Sequence, residues 1–143
     1  MSGKAADLDS LLRLRRWGVD ERRRELGVLL SREQELIAEA NGLDHQLLAE
    51  QEVAAADATG VGFAYGAYAE DNRRRHEMVM RNLALLAGEI AAARERLAES
   101  YRDLKVMEEV RKTRRREEEI EEARKEQALY DEIGQTQFRQ RQT

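Results

Sequence analysis

Two histidines, a short run of glycines and three arginine triplets are the residues whose types and spacing could do chemistry here. His45 and His76 would come within a few layers of each other if the chain doubled back between them, the beginning of a metal pair. Nothing supplies the further ligands that a zinc ion takes, and the chain has no cysteine. The better reading puts His76 in a polar layer of a helical core and His45 on the surface. Gly60, Gly62 and Gly66 fall within "DATGVGFAYGAY", but no Lys-Ser/Thr pair follows them, so they do not build a phosphate loop. Carboxylates are abundant, yet none sits in a predicted pocket that could shift its pKa. Neither an enzyme nor a cofactor is expected. The triplets Arg22-Arg23-Arg24, Arg73-Arg74-Arg75 and Arg114-Arg115-Arg116 invite a phosphate backbone, but acids flank each one. With 25 basic and 29 acidic side chains the net charge is −4, which suits a solvated helix face better than a nucleic-acid groove.

The elements that must carry these residues follow from composition and period. Of 143 residues, 38% are charged, only 5% are aromatic, and none is proline. Such a mixture marks either a coiled coil or a disordered chain, and the ordered apolar seam described next favours the coiled coil. The start, "MSGKAADLDSLLRLRRWG", lacks the apolar core of a signal peptide. No stretch approaches the roughly 20 apolar residues of a membrane span, so a cytosolic protein without membrane insertion is expected.

The glycine-rich turn divides the chain into a shorter and a longer arm, helix one over about 7–56 and helix two over about 65–134. The turn covers about 57–64, with Asp57 or Thr59 in it, and a frayed tail covers 135–143. Helix one carries heptad a at Ala5, Leu12, Val19, Leu26, Glu33, Ala40, Leu47 and Ala54, with d from Leu8 through Arg15, Arg22, Leu29, Leu36 and Leu43 to Glu50. Helix two carries a at His76, Leu83, Ile90, Leu97 and Leu104 and d at Val79, Leu86, Ala93, Ser100 and Met107. A repeat of 3.5 residues specifies a left-handed supercoiled pair. The fold class is therefore all-α: a two-helix antiparallel coiled coil, or helical hairpin, forming a single domain. Aligning the apolar layers gives facing residues whose numbers sum to about 119, with Leu36 on Leu83 and Leu29 on Ile90. Helix one then ends opposite Arg111, and helix two runs on without a partner. That explains why "RKTRRREEEIEEARKEQALYDEI" drops the apolar stripe. Local pairs such as Arg114 with Glu118, Arg115 with Glu119 and Glu121 with Lys125 are expected to support this overhang. At 1.5 Å per residue helix two would extend on the order of 100 Å, making a rod with one bare end.

Phe63, Tyr65 and Tyr68 cluster at the turn, where a narrow hairpin buries little, and Trp17 falls at heptad f, away from the seam. Exposed aromatics of this kind are candidate partner contacts. The pieces and their order resemble the FliJ family of the flagellar type III export apparatus, over nearly the whole chain. The stretches that carry the likeness are "LLRLRRWGVDERRRELGVL", "FAYGAY", "SYRDLKVMEEVRKTRRREE" and "ALYDEIG".

The resemblance implies a small cytoplasmic coiled coil, similar to the central stalk of rotary ATPases, associated peripherally with the flagellar basal body at the inner membrane. Its implied partners are the hexameric export ATPase, the cytoplasmic domain of the export-gate membrane protein, and export chaperones. The end holding both termini would seat in the ATPase ring through Leu11, Arg15, Arg111, Arg114 and Arg115. The gate would be met by Leu43, Tyr65 and Tyr68. Asn72, Arg75 and Val79 occupy further positions of that stripe but depart from the residue types the family pattern has there. Rival readings are the stalk of a virulence-type secretion system or rotary ATPase, a nucleic-acid-associated coiled coil, and a scaffold in which the overhang pairs with a second copy.

Overall fold

A computed structural model describes residues 2–56 and 62–142, the side chains of residues 2, 4–6, 62 and 63 excepted. Helix α1 spans Ser2–Ala56 and α2 spans Gly62–Gln142. Proline-free sequence rich in Ala, Leu, Glu and Arg propagates each helix without a break. Both run further than the periodicity alone suggests: α1 begins before residue 7, and α2 begins before 65 and continues past 134 through the tail expected to fray. Arg139 and Arg141 in the last turn of α2 complement the negative end of the helix dipole. Gly134 does not interrupt the helix. The turn expected over about 57–64 falls largely on residues 57–61, including Asp57, Thr59 and Gly60, which lie outside the described residues.

By contacts the fold divides into two units, residues 18–100 and the first 17 residues with 101 onward. In the unit of 18–100 the two helices pack along the expected seam. Leu36, Ala40, Leu43, Val79, Leu86 and Ile90 form one buried cluster, with Leu26, Leu29, Leu30 and Leu83 packed against it. All except Leu30 stand at predicted a or d positions; Leu30, at e, widens the seam on one side. Burying each large aliphatic side chain contributes about 1.5–3 kcal/mol. Glu50 is exposed despite its d position, and Arg22 and Glu33 are half-buried at seam positions.

The polar layer of this unit differs from the one expected. Asn72 is its buried polar residue, 5% exposed, and its Nδ2 donates to the Leu43 carbonyl at 2.8 Å. A helix carbonyl points toward the following turn, so that oxygen reaches the level of residue 47, the one facing 72 in the expected register. His76 is only half-buried; its Nε2 lies 3.4 Å from an Asp44 carboxylate oxygen, and His45 stands exposed. The shorter amide takes the interior place because the larger ring reaches past the seam to a carboxylate at its edge.

In the other unit Leu8, Leu12 and Leu104 are buried, Leu12 to 1% exposure. Asp9 meets Arg111 at 3.1 Å and Arg15 meets Asp103 at 3.8 Å. With Glu25–Arg96 and Asp44–His76 of the first unit, these pairs obey the expected sum of about 119 to within about two residues. Past Arg111 every residue of α2 over 112–142 is exposed. The extension is therefore present, and continuous exposure begins just past Arg111 as expected, although α1 itself runs on to Ser2 rather than ending opposite Arg111. The local ion pairs expected to support it are absent: among the described residues, none of residues 114–116 is paired with any of 117–122. Long exposed side chains lose rotamer freedom on pairing and recover little Coulomb energy in water. No described helix is long and apolar enough to cross a membrane.

Candidate functional site

Where the seam of the second unit ends, the side chains change character from one flank to the other. Leu12 and then Leu8 fill the last apolar layers, and Arg111 takes the a position of α2 beside them, half-buried. Its aliphatic stem can lie along the seam while the guanidinium reaches Asp9 at 3.1 Å. On the e-position flank a groove is lined by Leu12, Arg16, Glu108, Arg111, Lys112 and Arg115. Four of these six are cationic. Glu108, the one carboxylate among them, is engaged by Lys105 Nζ at 3.3 Å. That hydrogen bond, together with the Glu108 charge, raises the Lys105 pKa, and the ammonium also lies 5.2 Å from the centre of the Tyr101 ring. Lys112 is drawn to Glu109 at 3.4 Å. Arg16 and Arg115 take part in no ion pair among the described residues. The groove is thus an anion-attracting concavity over an apolar floor.

The opposite flank is apolar. Leu11 and Val110 occupy g positions and Leu14 and Val106 occupy c; Leu11, Leu14 and Val106 are 45–61% exposed. A second groove there has Val106, Val110 and Thr113 as its uncharged lining, between Lys105, Glu109, Arg114 and Glu117, charges of both signs. The residues expected to act together on the ATPase ring therefore separate. Arg115 belongs to the basic groove, Arg114 to the apolar one, and Leu11 to the apolar flank. Arg111 is committed to Asp9, and Arg15 lies near Asp103. Arg16, Lys112 and Glu108 were not singled out from the sequence. Their signal is the e and b positions beside the seam, which turn one way around the helix while Leu11 and Arg114 turn the other.

The three residues expected to face the export gate also differ in placement. Leu43 is buried, 8% exposed, inside the seam of the 18–100 unit, because its d position aims it at α2. Its side chain is therefore not a surface contact. Tyr65 and Tyr68 are half-buried. The Phe63 side chain lies outside the described residues. Trp17 is 60% exposed, as its f position predicts.

Compared with known proteins, the chain matches a family model described as flagellar FliJ protein over residues 4–143. Neither the curated proteins nor the solved structures contain a match to it.

Proposed function

The chain belongs to the FliJ family of flagellar proteins, and on that basis we propose that it serves as the stalk-like coiled coil that engages the export ATPase ring. Membership makes it a component of the flagellar type III export apparatus. The observation that carries the finer reading is the basic groove of Arg16, Arg111, Lys112 and Arg115, beside a bare extension of α2. A helix whose residues are exposed all along 112–142 gains stability when another surface receives it. Cationic side chains at its root would steer it to acidic partner surfaces and fix its register there.

In this reading Arg16, Lys112 and Arg115 make the primary contacts, Arg111 keeps the hairpin end closed through Asp9, and Leu11, Arg15 and Arg114 contribute from the other side. Tyr65 and Tyr68 are the contacts for the gate protein's cytoplasmic domain, while the buried Leu43 holds α1 to α2 a few turns away. Export chaperones complete the partner set, and the protein works at the cytoplasmic face of the basal body. The test is binding and ATPase stimulation with the purified export ATPase. The pair Lys112→Glu and Arg115→Glu is expected to weaken binding by about tenfold or more, with a steep salt dependence in the parent chain. Unchanged stimulation by the double variant would remove the ring assignment.

A further inference from the structure

Residues 111–116 read Arg-Lys-Thr-Arg-Arg-Arg, and residues 117–122 read Glu-Glu-Glu-Ile-Glu-Glu. Five of six side chains in the first block are basic and five of six in the next are acidic. Such blocks on one helix ordinarily neutralise each other at i,i+4 spacing. Here they do not: among the described residues, 114–116 and 117–122 make no ion pair. The two blocks are of equal length and adjoin one another, and all of their residues except Arg111, which is half-buried against Asp9, are exposed.

A pattern of this kind is complementary to itself under one operation. If a second copy lies antiparallel, with the two-fold axis between Arg116 and Glu117, each basic block faces the other copy's acidic block. On the face that carries Thr113 and Ile120, Arg116 then stands against Glu117 of the other copy. The same register continues outward, setting Glu109 against Arg124 and Glu108 against Lys125. It also aligns apolar residues: Thr113 meets Ile120 and Val110 meets Ala123. Val110 and Thr113 line the groove on the apolar flank, and Ile120 is 54% exposed. A parallel arrangement would instead set arginine against arginine and glutamate against glutamate.

We propose that α2 pairs with a second copy of this chain, antiparallel and isologous, centred between residues 116 and 117. Charge complementarity selects the partner and its direction, and the small apolar residues of the 106–123 face provide the contact area. The inference is independent of the ATPase reading, although the self-paired form would cover Arg114 and Arg115. Self-association and ring binding would then exclude each other.

The experiment is sedimentation of the full chain, without any partner, over a range of concentration and salt. The expected result is a monomer–dimer equilibrium at micromolar concentration that shifts toward monomer as salt rises. Arg114→Glu, Arg115→Glu and Arg116→Glu together, or Glu117→Lys, Glu118→Lys and Glu119→Lys together, should each raise the dimer Kd by about tenfold or more. Mixing the two triple variants should restore a dimer, because each all-acidic stretch then finds an all-basic one. Direction is read from single cysteines, since the parent chain has none. Thr113→Cys mixed with Ile120→Cys should crosslink across the two kinds of chain, faster than Thr113→Cys with itself. A chain that remains monomeric at low salt, a dimer indifferent to the charge reversals, or preferential 113-to-113 crosslinks would each overturn the proposal.

Discussion

Asn72 shows how a polar residue is accommodated between two helices. It stands at a d position where an aliphatic side chain would bury more area, yet its amide reaches the Leu43 carbonyl on the facing helix. The acceptor is a backbone carbonyl, which recurs in every heptad of α1, so the bond satisfies the buried amide without choosing among registers. Asn72→Leu is expected to raise stability by about 1 kcal/mol and to leave the interhelix crosslink pattern unchanged, because the apolar layers set the register. Crosslinks scattered over neighbouring registers would show that the amide does set the register. At the other unit Leu12 is the most deeply covered large side chain, and Leu12→Ala should cost about 3 kcal/mol of thermal stability. On the surface, the Arg73 hydrogen bond lowers the Glu70 pKa below the ordinary carboxylate value. A depressed carboxylate contributes stability above its unfolded pKa and loses it as pH falls through the folded one. Arg73→Ala should return the Glu70 midpoint, followed by NMR titration, upward toward the ordinary range.

The element that departs furthest from ordinary practice is α2. As far as Arg111 it exchanges layers with α1; every residue from 112 to 142 is exposed. Its backbone hydrogen bonds there have no tertiary cover, so opening should be local and frequent. Amide exchange is expected to be fast over 112–142 and slow around Leu86 and Ile90, and binding of a partner should slow the former selectively. Equal protection along α2 in the free monomer would contradict the account. The α1 and α2 seam was legible because burial imposes a 3.5-residue period that no other fold class mimics over so many turns. The absent i,i+4 pairs were not, since spacing permits an ion pair without making it worth forming in water.

For the molecule as a participant in export, the testable quantity is which face a partner reads. The basic groove predicts that Arg16→Glu weakens ATPase binding as strongly as Arg115→Glu, and Leu14→Ala on the opposite flank far less; pull-down against the purified ATPase measures both. Equal losses from both flanks would mean that the whole hairpin end is enclosed. Two helices, their antiparallel register, the point where the seam stops and the family likeness were all readable from residue order, because each depends on which positions are apolar along one chain. The distribution of function around the seam was not. Whether Arg111 is free or held by Asp9, whether Leu43 is surface or core, and which arginines share a groove with Lys112 depend on how two helices rotate against each other. That rotation is settled by side-chain packing across the interface, a property of pairs of residues distant in the chain.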